Sequence, residues 1–259
     1  MKTPRIIVIT GALGGIGLAS IEVFTRDHDI VVGIDIKDKN DSLVLETQSK
    51  YGNLFSYYQA DCTNEDQVKS VIEKIVSDHG KIDVLFNIIG GSGRRFGDGP
   101  IHTVSLEAYH QTLDLNLTSQ FLLSKYVVIE MLKQNYGNII NTGSVLGMVG
   151  GNEMFSTVTN AASKAAIIGM SRSMAMAYAK NNIRVNVISP GLIESNMTQR
   201  AQNNEEIIAY IDEKQPIYHG RHKLGNPMSI ALASRFLADS EADFITGVNL
   251  PVDGGWTAQ

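Results

Sequence analysis

Residues 5–17 read Arg5-Ile6-Ile7-Val8-Ile9-Thr10-Gly11-Ala12-Leu13-Gly14-Gly15-Ile16-Gly17. A β-branched run stops at Thr10 and opens into a glycine-rich turn. A strand is expected over Arg5–Thr10 and a helix over Gly15–Arg26. Gly11 permits the tight turn, Gly15 lets backbone approach a pyrophosphate, and Gly17 lets the helix pack closely on the strand. The helix N-terminus then offers free N–H groups and a partial positive charge to the phosphates of a dinucleotide. The plainer reading is a strand–helix turn without a ligand; the strand before it and the helix after it favour the dinucleotide.

Outward from this unit, short β-branched runs alternate with longer amphipathic stretches. Further strands are expected at Ile30–Ile36, Leu54–Gln59, Val84–Asn87, Asn138–Thr142, Arg184–Ser189 and Gly247–Pro251. Helices are expected near Asp41–Tyr51, Glu65–His79, Leu106–Gln134, Ser156–Lys180 and Pro227–Ala238. This is the pattern of an α/β fold: a Rossmann-type, doubly wound parallel sheet of about seven strands with helices on both faces. No repeat or linker interrupts it, so residues 1–259 are expected to form one dinucleotide-binding domain. Two connections, 90–104 and 192–226, are longer than such a fold needs. Ligands bind at the carboxyl ends of the strands, where both emerge, so both are candidate substrate loops.

Of the 259 residues, 43% are hydrophobic and 19% charged, as suits a soluble chain with a large core. The formal net charge of −5 and the lack of any Lys/Arg-rich run exclude a basic nucleic-acid surface. The single cysteine, Cys62, excludes an internal disulfide and fits a reducing compartment. Met1 to Arg5 is polar and runs straight into a strand, so no secretory leader is expected, and glycines break the uncharged stretch Ile6–Ile21. A cytoplasmic protein without metal, membrane or nucleic-acid partners is expected.

Asp35 ends the second strand. A carboxylate there accepts both ribose hydroxyls and repels a 2′-phosphate, and the next residue, Ile36, supplies no cation. Lys37 is the nearest one. The charge pattern therefore favours NAD as cofactor.

With Thr10-Gly11-x-x-x-Gly15-Ile16-Gly17 the chain resembles the short-chain dehydrogenases/reductases, and the likeness runs over its whole length. Asp61 resembles the family's adenine-contacting Asp. Asn116, in Asp-Leu-Asn-Leu, Ser144, after Ile-Ile-Asn-Thr-Gly, and Lys164, in Ala-Ser-Lys, match three of its catalytic residues. Pro190-Gly191-Leu192-Ile193 resembles the segment that brackets the nicotinamide, and Val252-Asp253-Gly254-Gly255 the C-terminal signature. The resemblance implies cofactor contacts at Leu13, Ile16, Ile36 and Cys62 beside the glycines and Asp35. It implies further contacts at Asn87, Gly90, Lys164, Pro190, Ile193 and Ser195. It also implies a homodimer or homotetramer, for which Leu106–Gln134 and Ser156–Lys180 carry spare apolar surface.

Three departures stand out. The family's Asn-Asn-Ala-Gly reads Asn87-Ile88-Ile89-Gly90. The span after Ser144 is longer than usual, with extra residues around Gly151–Phe155. The family's Tyr-x-x-x-Lys reads Asn160-Ala161-Ala162-Ser163-Lys164. In the family, hydride moves between nicotinamide and a carbinol carbon while the Tyr hydroxyl passes a proton to or from the oxygen. The Lys cation lowers the phenol's pKa, and the Ser hydroxyl steadies the substrate oxygen. An amide at 160 donates a hydrogen bond but carries no exchangeable acid proton, and loss of a general acid/base costs ~10²–10⁴ in rate. The leading expectation is an NAD(H)-dependent oxidoreductase interconverting a small alcohol and carbonyl, impaired at Asn160. A water or substrate group polarised by Lys164 and Ser144 is one substitute proton carrier. The alternative is a non-catalytic NAD-binding sensor or scaffold.

Arg94 and Arg95 are either a carboxylate clamp or part of a solvated glycine-rich loop. His102, His110, His219 and His222 lack metal spacing, although the last two are candidates to line a substrate loop. Met148 and Met154 flank the extra residues and are candidates to touch an apolar substrate.

Overall fold

Ile6, Ile7, Val8 and Ile9 are all buried, so β1 (Ile6–Thr10) is apolar on both faces, as a strand inside a parallel sheet must be. The computed structural model describes residues 3–195, 198–217 and 224–259. The remaining strands are β2 (Ile30–Asp35), β3 (Phe55–Gln59), β4 (Val84–Asn87), β5 (Gly137–Thr142), β6 (Ile183–Pro190) and β7 (Asn249–Val252). All pair in parallel, in the order β3-β2-β1-β4-β5-β6-β7. The order reverses between β1 and β4, where Thr10 stands opposite Asn87. The turn at Gly11 and the loop at Gly90 leave the sheet side by side at this switch point, the place where such sheets hold ligands.

The alternation along β1 sorts the core. Val8 joins Val32, Leu85, Ile139 and Val185 beneath α3 (Glu65–His79), α5 (Ser119–Gln134) and the rear of α6 (Val158–Tyr178). Ile7 and Ile9 join Phe86, Ile140 and Ile188 beneath α1 (Gly15–Arg26) and α9 (Pro227–Ala238), and α2 (Ser42–Tyr51) connects β2 to β3. Each fully buried Ile or Phe here contributes ~1.5–3 kcal/mol. A third cluster joins Val145, Met154 and Phe155 after β5 to Ala201 of α7 (Gln199–Gln202), Ile207 and Ile211 of α8 (Glu205–Lys214), and Trp256. Phe155 stacks on Tyr210, and Trp256 stands edge-on to both. Among the described residues no helix is long and apolar enough to cross a membrane.

The helix expected over Leu106–Gln134 is divided. It runs as α4 (Leu106–Leu113), one π-helical turn (Asp114–Thr118) and then α5. The wide turn swings Asn116 into the interior, where it is fully buried. The last strand starts at Asn249 rather than Gly247, because Gly247 adopts φ +76° in the turn before it. Ile36 falls outside β2 and is 65% exposed.

Candidate active site

The glycine turn is built for close approach. Gly11 has φ +64°, and a Cβ on it would lie 3.2 Å from the Ile89 amide nitrogen across the switch point. A Cβ on Gly17 would collide with the Gly11 and Ala12 carbonyl oxygens, so the helix packs on the turn before it only through glycine. At Gly15 the nearest protein atoms would be 3.5 Å away, so protein packing alone does not call for glycine at that position. The first turn of α1 has neither a side-chain cap nor an acidic residue, which leaves its N–H groups for an anion.

Asp35 faces this turn. One carboxylate oxygen accepts from the Leu13 amide at 3.1 Å and the other from the Ile36 amide at 2.8 Å. The Tyr57 hydroxyl donates to the Asp35 and Lys37 carbonyls at 3.2 and 2.6 Å and fixes the chain beyond β2. Lys37 pairs with Asp41 at 2.8 Å. One oxygen of Asp61 accepts from the amide and the hydroxyl of Thr63. Burial and the neighbouring Asp61 and Asp35 push the Cys62 thiol up to about 12, which keeps it a neutral packing group. An uncapped helix start, a glycine cradle and a carboxylate at the ribose position fit a nicotinamide dinucleotide.

Asn116, Asn160 and Lys164 come together below the loop after β4. The Asn116 amide oxygen accepts from the Gly91 amide at 2.7 Å, and its nitrogen faces the Gly91 carbonyl (3.0 Å), the Ser163 hydroxyl (3.1 Å) and Asn160 Oδ1 (3.2 Å). The two Gly91 contacts fix which way the Asn116 amide points. Lys164 Nζ donates to the Thr142 carbonyl at 2.8 Å. No direct hydrogen bond joins Asn116 to Lys164. Instead, a Cβ on Gly90 would lie 2.9 Å from Asn116 Oδ1 and 3.0 Å from Lys164 Nζ, so the two groups converge on a gap that only glycine leaves open. Lys164 is 6% exposed, and burial lowers its pKa to about 8.

Asn160 is buried, and its oxygen is turned to Asn116. Its side-chain nitrogen has no partner among the described residues and remains a donor. The Ser144 oxygen accepts from the Leu146 amide at 3.1 Å, leaving the hydroxyl proton free. The Asn87 side-chain nitrogen donates to Asn141 at 2.8 Å and to Ser124 of α5 at 3.3 Å, and its oxygen accepts from the Thr10 hydroxyl. Ser195 lies over Gly15, and its amide donates to Thr198 Oγ1 at 2.9 Å. Ile193 is buried behind it, and Pro190 ends β6.

Several site residues were not singled out from sequence. Asp98 is buried in the 90–104 loop and accepts from the Thr159 and Asn160 amides at 3.1 and 2.8 Å, capping α6 from a distance. Gln120 grips the Ile89 and Thr142 carbonyls. Arg200 joins Arg94, which the sequence did single out, in donating to the Met154 carbonyl, at 2.9 and 2.7 Å respectively. Arg95 instead lies over the Phe96 ring. A lone Asp in a glycine loop carries no local signal of a partner so far along the chain. His219 and His222 lie outside the described residues.

The family model described as Enoyl-(Acyl carrier protein) reductase matches residues 11–257. The chain is 35% identical over 252 residues to the 3-oxoacyl-(acyl-carrier-protein) reductase FabG of Thermotoga maritima, covering 97% of each. It is 31% identical over 254 residues to the cis-4-hydroxycyclohexanecarboxylate dehydrogenase of Sinomonas cyclohexanicum, covering 98% of this chain and 97% of that one. Among solved structures, ElxO with NADP bound superposes with a TM-score of 0.84 at 28% identity, over 99% of this chain and 100% of the other. The glycine cradle, the seven-stranded order and full-length likeness to named dehydrogenases and reductases agree: this chain belongs to the short-chain dehydrogenase/reductase family of alcohol/carbonyl oxidoreductases.

Proposed function

We propose that the chain is an NAD(H)-dependent oxidoreductase for a small alcohol or carbonyl compound, with turnover held down by the amide at Asn160. The observation that carries this reading is the convergence of Asn116 and Lys164 on Gly90, at the switch point beside the uncapped start of α1. A bound nicotinamide supplies or accepts the hydride at the carbinol carbon. Ser144 donates its free hydroxyl proton as a hydrogen bond to the substrate oxygen, and the unpaired Asn160 nitrogen adds a second donor. Both polarise a carbonyl; neither delivers a proton. Lys164 contributes its charge and holds the nicotinamide ribose, and Asn116 fixes the loop at Gly91 and the orientation of Asn160. Water or a substrate group polarised by Lys164 and Ser144 then carries the proton.

Preference for NAD over NADP rests on charge. The Asp35 carboxylate repels a 2′-phosphate, and Lys37, the nearest cation, is engaged by Asp41. The NADP-bound relative makes this preference the point to test. The spare apolar surface supports a homodimer or homotetramer. On α5 it comprises Phe121, Ile129 and Leu132, which share one exposed stripe.

Titrating NADH and NADPH into the protein by fluorescence or calorimetry tests the reading. NADH binding at least ~10-fold tighter than NADPH is expected from the unpaired like charge at Asp35. Equal or reversed preference removes the NAD assignment, and no binding of either removes the oxidoreductase reading.

A further inference from the structure

Arg94 and Arg200 present two guanidinium groups to one neutral acceptor, the Met154 carbonyl oxygen. They come from different segments. Arg94 follows β4, Met154 lies among the extra residues after β5, and Arg200 follows β6, so three neighbouring strands deliver them to the same end of the sheet. Among the described residues neither arginine has a carboxylate within ion-pair distance. The nearest acid on the same loop, Asp98, is occupied by the Thr159 and Asn160 amides. Burial and the charge of Arg200 lower the Arg94 pKa, and the Asp98 carboxylate offsets this only in part.

A single carbonyl oxygen does not neutralise two positive charges, and each guanidinium keeps most of its N–H donors unspent. An oxyanion placed beside Met154 would satisfy both. The residues flanking Met154, Glu153 and Phe155, wall a cavity of about 280 Å³ whose lining also includes Leu146, Val149 and Ala161. Apolar side chains of this lining, interspersed with Asn152 and Glu153, thus begin one residue from Met154, and Ala161 follows Asn160 along α6.

We propose that Arg94 and Arg200 form a binding site for the oxyanion of a small-molecule substrate, a carboxylate or a phosphate ester, whose apolar body lies along this lining. The word substrate rests on the oxidoreductase reading; the anion site does not. The site makes Arg94 and Arg200 specificity-determining residues and leaves Arg95, stacked on Phe96, outside it.

Calorimetric titration with cyclohexanecarboxylate, cyclohexyl phosphate and neutral cyclohexanecarboxamide tests the site, with and without saturating NADH. At least one anion is expected to bind ~10-fold or more tightly than the carboxamide, and its identity tells carboxylate from phosphate. Arg94→Gln and Arg200→Gln are each expected to weaken that anion by ~10-fold or more, as loss of hydrogen bonds from a charged donor implies. Carboxamide binding should stay unchanged in both, and Arg95→Gln should bind like the parent. Anions binding no better than carboxamide overturn the proposal, and the parent protein alone decides that. Unchanged anion affinity in both glutamine variants also overturns it. Failure of NADH to bind defeats the oxidoreductase reading, while titration of the cofactor-free protein still decides the arginine site.

Discussion

Lys164 carries a cationic group into the interior of the protein. Its ammonium donates to the Thr142 carbonyl with no acid in ion-pair contact among the described residues, and burial lowers its pKa from 10.5 to about 8. The unfolded chain keeps that proton up to the ordinary value, so between about pH 8 and 10.5 the unfolded state binds more protons. Stability of the cofactor-free protein should therefore rise with pH through this window, by up to ~3 kcal/mol. Below about pH 8 the cost of burying the charge is fully present. Comparing denaturant midpoints of the parent and Lys164→Met across pH 7–11 isolates the effect; a parallel pair of curves would contradict it. Asp35 makes a second prediction at this scale. Asp35→Ser removes the charge at the ribose position and should narrow the NADH-over-NADPH preference by ~10-fold in paired titrations. The left-handed turn at Gly11 and the close packing at Gly17 were legible from sequence because each depends on conformation and neighbours within one strand–turn–helix unit. Asp98 and Arg200 were not, because their partners, the first turn of α6 and Met154, are remote in the chain.

Elements explain how the residues hold their places. The π turn at Asp114–Thr118 was invisible to hydrophobic periodicity, since an extra residue in one turn leaves the apolar stripes on either side intact. That turn lets Asn116 reach both Gly91 and Asn160. The start of α6 is equally dependent on another segment. The side chain of Thr157, its N-cap, accepts no hydrogen bond from the first turn, and Asp98 supplies the missing acceptor. Asp98→Ala should lower stability by ~1–3 kcal/mol through two orphaned amides, read as a shift in denaturant midpoint. It should also weaken substrate binding while leaving NADH affinity within ~2-fold, because the cradle at α1 is separate. Gly17→Ala should do the reverse. Its Cβ collides with the backbone of Ala12, at a cost of ~1–3 kcal/mol, and deforms the phosphate-binding turn. NADH titration of the two variants distinguishes these effects.

For the whole molecule, the parallel sheet and its helical cover were legible because strands buried on both faces read as unbroken β-branched runs. The cluster of Phe155, Tyr210 and Trp256 was not, since it assembles from three segments that share no periodicity. It pins α7 and α8 over the extra residues after β5, and that placement brings Arg200 to Arg94. The exposed apolar stripe on α5 predicts self-association, and Phe121→Glu with Ile129→Glu should shift the sedimentation profile toward monomer. The central claim separates binding from turnover: the molecule holds its cofactor site intact and lacks a proton donor at position 160. Steady-state turnover of the parent and Asn160→Tyr, on one alcohol and carbonyl panel at saturating NAD(H), tests it most directly. A gain of ~10²-fold or more in the tyrosine variant with unchanged NADH affinity is predicted. Unchanged or lower turnover in that variant would contradict the account.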